Sequence, residues 1–320
     1  MSVQMFYMMI GFSLAGYAVI ANDSIQTLGT FLSSNRRIPW WVLWLFSGSI
    51  LGLVLFYGWW SNDGDVSYGR LQKIRQGLET MNLAWYHLLA PLALLVLTRV
   101  SIPVSTTFMV LTSFASASVS TKVVLKSVGG YAIAFGSAFV VYGLVMHVAE
   151  KMWSERAPLE TSQARWVIAQ WLTTGFLWSQ WLIQDLANIY IYLPRHLPLW
   201  TLLLTFAWMQ GLQAYLFYKR GGEIQKFVTS KLNTMDIRAA TIIDLIYSIN
   251  LLFFKEYSKL PMSTTWVFVG LLAGRELALS LRLRHQTTTS TLAMLGRDLL
   301  KIVLGLLVSV SIVVLIHMLN

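Results

Sequence analysis

The chain contains no cysteine and little charge. The absence of cysteine excludes disulfide bonds, thiolate metal sites and cysteine nucleophiles. Charged residues make up 12 % of the 320 residues and hydrophobic residues 56 %, whereas soluble domains carry about 25 % charged residues. The 5 histidines show no metal-ligand spacing, which disfavours a zinc site. The composition therefore predicts an integral membrane protein.

The net charge of +10 does not indicate a nucleic-acid partner, because the basic residues flank long apolar runs. Placing the N-terminus outside puts the larger share of Lys and Arg in inside loops, so we expect both termini outside, N-out and C-out. The first run, Val3–Ala21, lacks the basic segment of a signal peptide and is expected to be a retained helix. We expect the protein to lie in the cell (inner) membrane.

Ten apolar runs of about 20 residues are long enough to be membrane elements. In the first half they are 4–33, 39–60, 81–100, 101–121 and 127–149; in the second they are 166–193, 198–217, 236–254, 260–281 and 299–318. The sequence thus predicts an all-α integral membrane protein, with repeat 1 at 1–150, a connecting loop at 151–165 and repeat 2 at 166–320. If all five elements of each half cross, the two repeats are inverted.

Broken or re-entrant helices are expected at the centre of this fold. The serine-rich run 101–121 and its counterpart 260–281 are candidates for either hairpins or full spans, and the sequence leaves both forms open.

Two short sequence motifs, called words below, each occur twice and indicate a duplication. The word P-x-S-T-T stands at 103–107 and at 261–265, an offset of 158 residues. The word amide-acid-x-x-amide stands at 22–26 and at 184–188, an offset of 162 residues. A nearly constant offset over two words indicates a repeat of about 160 residues.

Asp23 and Asp185 are acids within apolar runs. An acid at membrane depth costs about 2.5–3.5 kcal/mol and usually serves a function. Residues three apart share a helix face, so each acid points together with an amide, and the cluster of hard oxygen ligands fits Na⁺ or a proton. Helix breaks that free carbonyl groups are expected at Gly29 and Pro194. The predicted cation site comprises Asp23, Gln26, Gln184 and Asp185, with the two aspartates as Na⁺ ligands.

The P-x-S-T-T words indicate an anion site. Proline is favoured in the first turn of a helix, where backbone N–H groups have no intrahelical partner. A helix N-terminus inside the protein offers these N–H groups, hydroxyl donors and a positive dipole end to an oxyanion. The predicted anion ligands are Ser105, Thr106, Thr107, Ser263, Thr264 and Thr265.

The paired words resemble the inorganic phosphate transporter (PiT) family, whose sequences carry G-A-N-D-V-A-N-A and P-[IV]-S-T-T-H in each half. The first copy here is 21–30 and the degenerate second copy is 184–188. The resemblance implies a cation-coupled phosphate transporter that is a homodimer, with Asn22 and Asn188 at the anion site. The family's histidine after S-T-T is replaced by Phe108 and Trp266, so sulfate or bicarbonate stays open beside phosphate.

These observations predict a secondary active transporter that moves an inorganic oxyanion by alternating access and is coupled to Na⁺ or H⁺. Phosphate is the leading candidate for the oxyanion. Its expected partners are the oxyanion and the lipid bilayer, and no cofactor is expected besides the coupling ion. No nucleophile–base pair is evident, so the chain is not expected to be an enzyme. An anion channel and a non-transporting membrane sensor are the alternatives of another class.

Overall fold

The protein is described from a computed structural model, which covers residues 2–74, 83–99, 104–145, 160–221, 237–283 and 288–319. These residues form helices and contain no β-strand. The α-helices are α1 (Val3–Ser34), α2 (Trp40–Ser61), α3 (Leu89–Arg99), α4 (Thr106–Met109), α5 (Ala117–Val140), α6 (Glu160–Tyr190), α7 (Leu199–Tyr218), α8 (Ile237–Tyr257), α9 (Thr264–Leu283) and α10 (Thr288–Leu319).

Six helices in the described part of the chain are long and apolar enough to cross a membrane, namely α1, α2, α5, α8, α9 and α10. The protein is therefore a multi-pass integral membrane protein. The other two long helices, α6 and α7, have 31 and 20 residues and are not among these six. Hydropathy alone does not distinguish these two from interior helices.

The third and fourth predicted spans, 81–100 and 101–121, are not spans in the structure. The helix α3 has 11 residues, which at 1.5 Å per residue is about half of the bilayer core. Proline fits the first turn of a helix, and Pro91 stands in the first turn of α3. The helix α4 is a single turn, followed by a 3₁₀ turn at Leu111–Phe114.

Serine hydroxyls explain why 101–121 does not continue as one helix. Ser113 Oγ donates to the Val110 carbonyl at 2.6 Å. Such side-chain hydrogen bonds compete with the backbone hydrogen bonds of an α-helix and favour a turn. Ser116 is extended (φ −66°, ψ 158°), and α5 begins at the next residue. Residues 100–103, including Pro103 of the first P-x-S-T-T word, lie outside the described residues.

Several other predicted bounds differ from the structure. Within the run 127–149, the described residues belong to α5, which begins ten residues earlier, and to a π-helical turn at Val141–Val145. Within the run 260–281, residues 264–281 belong to one continuous helix, α9, so this run is not a hairpin. The expected break at Gly29 does not occur, because α1 continues to Ser34; α6 ends at Tyr190, before Pro194. The predicted connecting loop 151–165 lies largely outside the described residues.

Contacts at both ends show that α1 and α6 run antiparallel. Asn35 Nδ2 at the end of α1 donates to Gln170 Oε1 near the start of α6 at 2.9 Å. Phe12, near the start of α1, packs against Tyr190 at the end of α6, with 5.3 Å between ring centroids. These are the helices that carry the two acidic words.

The helices α2 and α7 are also antiparallel. Trp40 at the start of α2 packs edge-on against Tyr218 at the end of α7, at 5.8 Å between ring centroids. Further along, Trp44 Nε1 donates to the Gln210 carbonyl at 3.2 Å, and Gln210 Nε2 donates to the Gly48 carbonyl at 2.7 Å. The pairs α1–α6 and α2–α7 are therefore both antiparallel.

The helices α5 and α9 approach each other at the backbone. A Cβ atom at Gly270 or Gly274 would collide with the carbonyl oxygens of Tyr131 and Phe135, respectively. This spacing, glycine-x-x-x-glycine, permits close helix contact in membranes. At the start of α9, Ser263 N donates to Ser127 Oγ of α5 at 2.8 Å. Thus α5 fixes the position of the second S-T-T segment.

Candidate functional site

All twelve residues that the sequence singles out are buried in the structure. Asn22, Asp23 and Gln26 lie on α1, and their counterparts lie on α6. The two S-T-T segments lie at the beginning of α4 and of α9. None of the twelve side chains is more than 4 % exposed, so the site is in the interior of the protein.

Thr106 links the two acidic words through its hydroxyl group. Thr106 Oγ1 donates to Asp23 Oδ2 at 2.6 Å and accepts from Asn188 Nδ2 at 2.9 Å. Asn188 Nδ2 also donates to Asp185 Oδ1 at 2.6 Å. A continuous hydrogen-bond chain therefore joins Asp23 to Asp185 across both halves of the molecule.

Around Asp23, the amides take the positions expected from helical spacing. Asn22 Nδ2 donates to Asp23 Oδ1 at 2.6 Å and to the Val104 carbonyl at 3.1 Å. Gln26 Nε2 donates to Asp23 Oδ1 at 3.4 Å. Thr265 of the second S-T-T segment also faces this carboxylate. Asp23 thus meets side chains from α1, α4 and α9.

Around Asp185, the arrangement is similar but less complete. Asn188, three residues later, donates to the carboxylate, and Thr264 faces it from α9. Gln184 takes a different direction, because its Nε2 donates to the Leu251 carbonyl of α8 at 2.9 Å. Gln184 therefore ties α6 to α8, while its Oε1 has no hydrogen bond within the described part of the chain.

The two S-T-T segments touch each other. Thr107 Oγ1 donates to the Met262 carbonyl at 3.2 Å, which places the start of α4 beside the start of α9. Ser105 and Ser263 are the N-caps, and each hydroxyl accepts a backbone N–H three residues later at 3.2 Å. The equivalence ends there, since α9 has 20 residues and α4 has 4.

This difference in length matters for the electrostatics. A helix dipole needs several aligned peptide units, so α9 presents a positive end to the site and the single turn of α4 contributes mainly hydroxyl groups. The sequence predicts two equivalent helix N-termini, and the structure has one long helix there. The end of α4 at Met109 is the cause.

Five buried oxygen atoms of the acidic words have no hydrogen-bond donor among the residues that the structure describes. A buried acceptor without a partner costs about 1–3 kcal/mol, and such groups are few in native proteins. Oxygen ligands of this kind suit a hard cation. The five atoms are Asn22 Oδ1, Gln26 Oε1, Gln184 Oε1, Asp185 Oδ2 and Asn188 Oδ1.

A third buried acid, Asp244 on α8, lies in a separate cluster. It is 1 % exposed, and each carboxylate oxygen accepts a threonine hydroxyl. Thr30 of α1 donates to Oδ1 at 2.7 Å, and Thr174 of α6 donates to Oδ2 at 2.5 Å. The two threonines are not evident from the sequence, although Thr30 follows Asp23 by two helical turns and so shares its face.

Arg70 is the other residue whose position the sequence does not reveal. It lies in a loop, where a basic residue is normally exposed and contributes to membrane topology. Here it is only 2 % exposed, and Asp185 is the acid that acts most strongly on its charge.

No family model matches the chain, and no curated protein sequence matches it. Among solved structures, the fold is similar to one titled "The sodium-dependent phosphate transporter". The TM-score is 0.63 at 19 % sequence identity, and the match covers 100 % of this chain and 100 % of that one. At this identity the comparison establishes a shared fold over the whole chain.

Proposed function

We propose that the protein is a secondary active transporter that moves an inorganic oxyanion together with Na⁺ or H⁺. Phosphate is the leading candidate for this oxyanion. The observation that carries the proposal is the set of five donor-free oxygen atoms, defined above for the described residues, on the two acidic words that hold the buried carboxylates. A cation is the ligand that satisfies acceptors of this type. The shared fold with a sodium-dependent phosphate transporter supports the same assignment.

Asp23 and Asp185 supply the negative charge of the cation site. Both are fully or almost fully buried, at 0 % and 1 % exposure, and they face each other through Thr106 and Asn188. Two carboxylates in a low-dielectric interior repel each other, and a bound cation removes that repulsion. In this proposal Na⁺ binds to the carboxylate and amide oxygens, with H⁺ as the alternative.

The anion binds between the S-T-T segments. Its ligands are the hydroxyl groups of residues 105–107 and 263–265 and the first N–H groups of α9, where the positive helix end lies. Thr106 now donates to Asp23, so its hydroxyl must turn when an anion arrives. Because an anion and two carboxylates repel at this range, the cation binds first and the two ions move together.

The two halves provide the alternating access as an inverted repeat. The antiparallel pairs α1–α6 and α2–α7 support this arrangement, since equivalent helices of an inverted repeat point in opposite directions. Rocking of one half against the other would open the site to either side of the membrane in turn. The N-out and C-out orientation and the homodimer are part of this proposal.

Transport in proteoliposomes tests the proposal. Labelled phosphate should accumulate with an inward Na⁺ gradient, and the Asp185→Asn variant should lose this accumulation because its cation site loses a charge. Asp63→Asn is the matched control, because Asp63 lies in the loop after α2 and asparagine tolerates its positive φ of 50°. Uptake that is independent of Na⁺ and of pH would contradict the coupling.

Sulfate or the planar bicarbonate is the second candidate, and one contact bears on it. Phe108 and Trp266 follow the two S-T-T segments and pack edge-on, with 5.5 Å between ring centroids. These rings narrow the space beside the anion ligands. Competition of labelled phosphate uptake by sulfate and by bicarbonate distinguishes the substrates, and a current that does not saturate would indicate a channel.

A further inference from the structure

A buried arginine lies in a loop that contacts α6, the helix of Asp185, and two of its nitrogens have no hydrogen-bond partner in the described part of the chain. Arg70 begins a 3₁₀ helix, Arg70–Lys73, in the loop after α2, and this short helix contacts α6. The residue is 2 % exposed. The two nitrogens are Nε and Nη1. Burying a charged guanidinium without partners for two of its nitrogens is costly. The burial of Arg70 therefore indicates a role for this side chain.

The loop that carries Arg70 is held in place by Asp65. One carboxylate oxygen of Asp65 accepts from Ser67 N at 2.8 Å, and the other accepts from Gly69 N at 3.2 Å. Arg195, in the loop after α6, also reaches Asp65 at 3.4 Å. Gly69 has a φ of 73°, a conformation that glycine adopts without strain, and this turns the chain so that Arg70 points inward.

Asp185 is the charged group that acts most strongly on Arg70, followed by the exposed Glu256. Burial lowers the pKa of Arg70 to about 10, and the two acids oppose that shift, so the guanidinium is charged at neutral pH. Lys73 and Lys126 also lie in this region. Among the described residues Asp185 Oδ2 has no donor either, so the acid that acts on Arg70 also has an unpartnered atom beside the two unpartnered guanidinium nitrogens.

We propose that Arg70 is a direct ligand of the transported anion, which enters between its guanidinium and the N-terminus of α9. This rests on the proposed function. A guanidinium presents a planar fork of donors that fits two oxygens of a phosphate or sulfate. Lys126 strengthens the arrangement, because its Nζ donates to the carbonyls of Phe254, Ser258 and Leu260 and so fixes the segment just before α9.

The charge balance explains why an arginine is useful here. Two carboxylates and a divalent anion together require several positive charges in a low-dielectric site. Arg70 supplies one of them permanently, so one cation fewer has to enter with the anion. Before the anion binds, Asp185 is the counter-charge that stabilises the buried guanidinium.

The test is phosphate affinity at a fixed Na⁺ concentration, measured by tracer binding to the purified full-length protein. Loss of a charge-assisted hydrogen bond in Arg70→Gln should weaken phosphate binding about 10- to 100-fold. Arg70→Lys keeps the charge but not the fork, so its loss should be smaller. Lys73→Gln is the matched control, since Lys73 lies on the same turn, carries the same charge and is exposed.

Binding by the wild-type protein separates this proposal from the proposed function. If Arg70→Gln binds phosphate like the wild type, or no more weakly than Lys73→Gln, then Arg70 is only a counter-charge for Asp185 and the inference is wrong. If Arg70→Gln does not fold, wild-type phosphate affinity in Arg70→Lys would equally contradict the inference. If the wild-type protein binds no oxyanion in Na⁺, the proposed function itself fails.

Discussion

Thr106 Oγ1 and Asp23 Oδ2 form a 2.6 Å hydrogen bond between residues that are 83 positions apart in the sequence. The donor comes from the first S-T-T segment and the acceptor from the first acidic word. In the second half, Thr264 also faces Asp185, although Asp185 Oδ2 accepts no hydrogen bond among the described residues. The repeated words of the sequence are therefore repeated contacts in the fold, in which a threonine lies next to an acid.

The Thr106 hydroxyl is expected to be essential for the site. Thr106→Val removes a donor to Asp23 and an acceptor for Asn188, and leaving buried polar groups unpaired costs about 1–3 kcal/mol. The variant should lose most phosphate uptake, and Thr106→Ser, which keeps the hydroxyl, should retain it. Uptake of labelled phosphate and thermal unfolding in detergent are the measurements.

Thr121→Val provides the control for this substitution. Thr121 is exposed, and its hydroxyl donates to the Ala117 carbonyl of its own helix at 2.9 Å. Its loss should leave uptake unchanged. Equal uptake by Thr106→Val and Thr121→Val would show that the hydrogen-bond chain between the aspartates is dispensable.

The sequence predicts the meeting of the acidic words and the S-T-T segments because a duplication places the same polar word twice at membrane depth. Side chains of that kind avoid lipid, so they converge in the interior. The sequence does not predict the half-length α3 or the single turn of α4. An apolar run has the same hydropathy whether it crosses the bilayer or turns back within the protein.

The positions of Arg70 and of the threonines around Asp244 could not be predicted from the sequence either. Arg70 is in a loop between apolar runs, and its burial depends on long-range contacts such as Arg195 with Asp65. Thr30 and Thr174 contact Asp244 only after α1, α6 and α8 have packed. Such contacts have no local periodicity, which is the signal that sequence patterns provide.

The stability of the protein should be sensitive to the addition of a single methyl group at either glycine of the α9 pair, Gly270 and Gly274. Gly274→Ala places a methyl group against the Phe135 carbonyl, where the backbone has no room to yield. Overpacking of this kind costs about 1–3 kcal/mol, and we expect it to displace the S-T-T segment at the start of α9 relative to the one at the start of α4. We expect a lower unfolding temperature and weaker phosphate uptake.

Gly129→Ala is the matched control on the partner helix α5. A Cβ atom at Gly129 meets no heavy atom of the described residues within 4 Å. Alanine favours a helix over glycine by about 1 kcal/mol, so this variant should be as stable as the wild type or more so. If both alanine variants are equally stable, the close approach of α5 and α9 is not needed for the fold.

Asp244 and Thr174 should be energetically coupled. Thr174→Val removes a 2.5 Å hydrogen bond to a buried carboxylate, and a hydrogen bond to a charged group is worth about 1.5–3 kcal/mol. Once Asp244 is changed to asparagine, the same threonine should matter less. A double-mutant cycle of thermal or denaturant unfolding should therefore be non-additive by more than about 0.5 kcal/mol.

Thr241→Val tests whether the effect is specific to the carboxylate. Thr241 lies on the same helix as Asp244, but its hydroxyl donates to the Ile237 carbonyl of that helix at 2.7 Å. Its removal should change the unfolding free energy by less than about 0.5 kcal/mol. A Thr174→Val variant that is no less stable than Thr241→Val would mean that Asp244 does not depend on its threonine partners.

The direction of the two repeats can be determined with single cysteines, because the chain has no cysteine of its own. Leu197 N donates to the Gly64 carbonyl at 3.1 Å, and Arg220 Nη2 donates to the Ile38 carbonyl at 3.1 Å. The loop after α2 therefore lies beside the loop after α6, and the loop after α7 lies beside the loop after α1. In inverted repeats, these two pairs of loops are on opposite sides of the membrane.

Cysteines introduced at Ser61 and Arg195 should thus react with a membrane-impermeant maleimide from one side, and cysteines at Arg36 and Lys219 from the other, since all four positions are exposed. For the N-out orientation, the first pair reacts in intact cells and the second only after permeabilisation. If Ser61 and Lys219, which follow equivalent helices, react from the same side, the repeats are parallel. That outcome would contradict the antiparallel packing of α2 against α7.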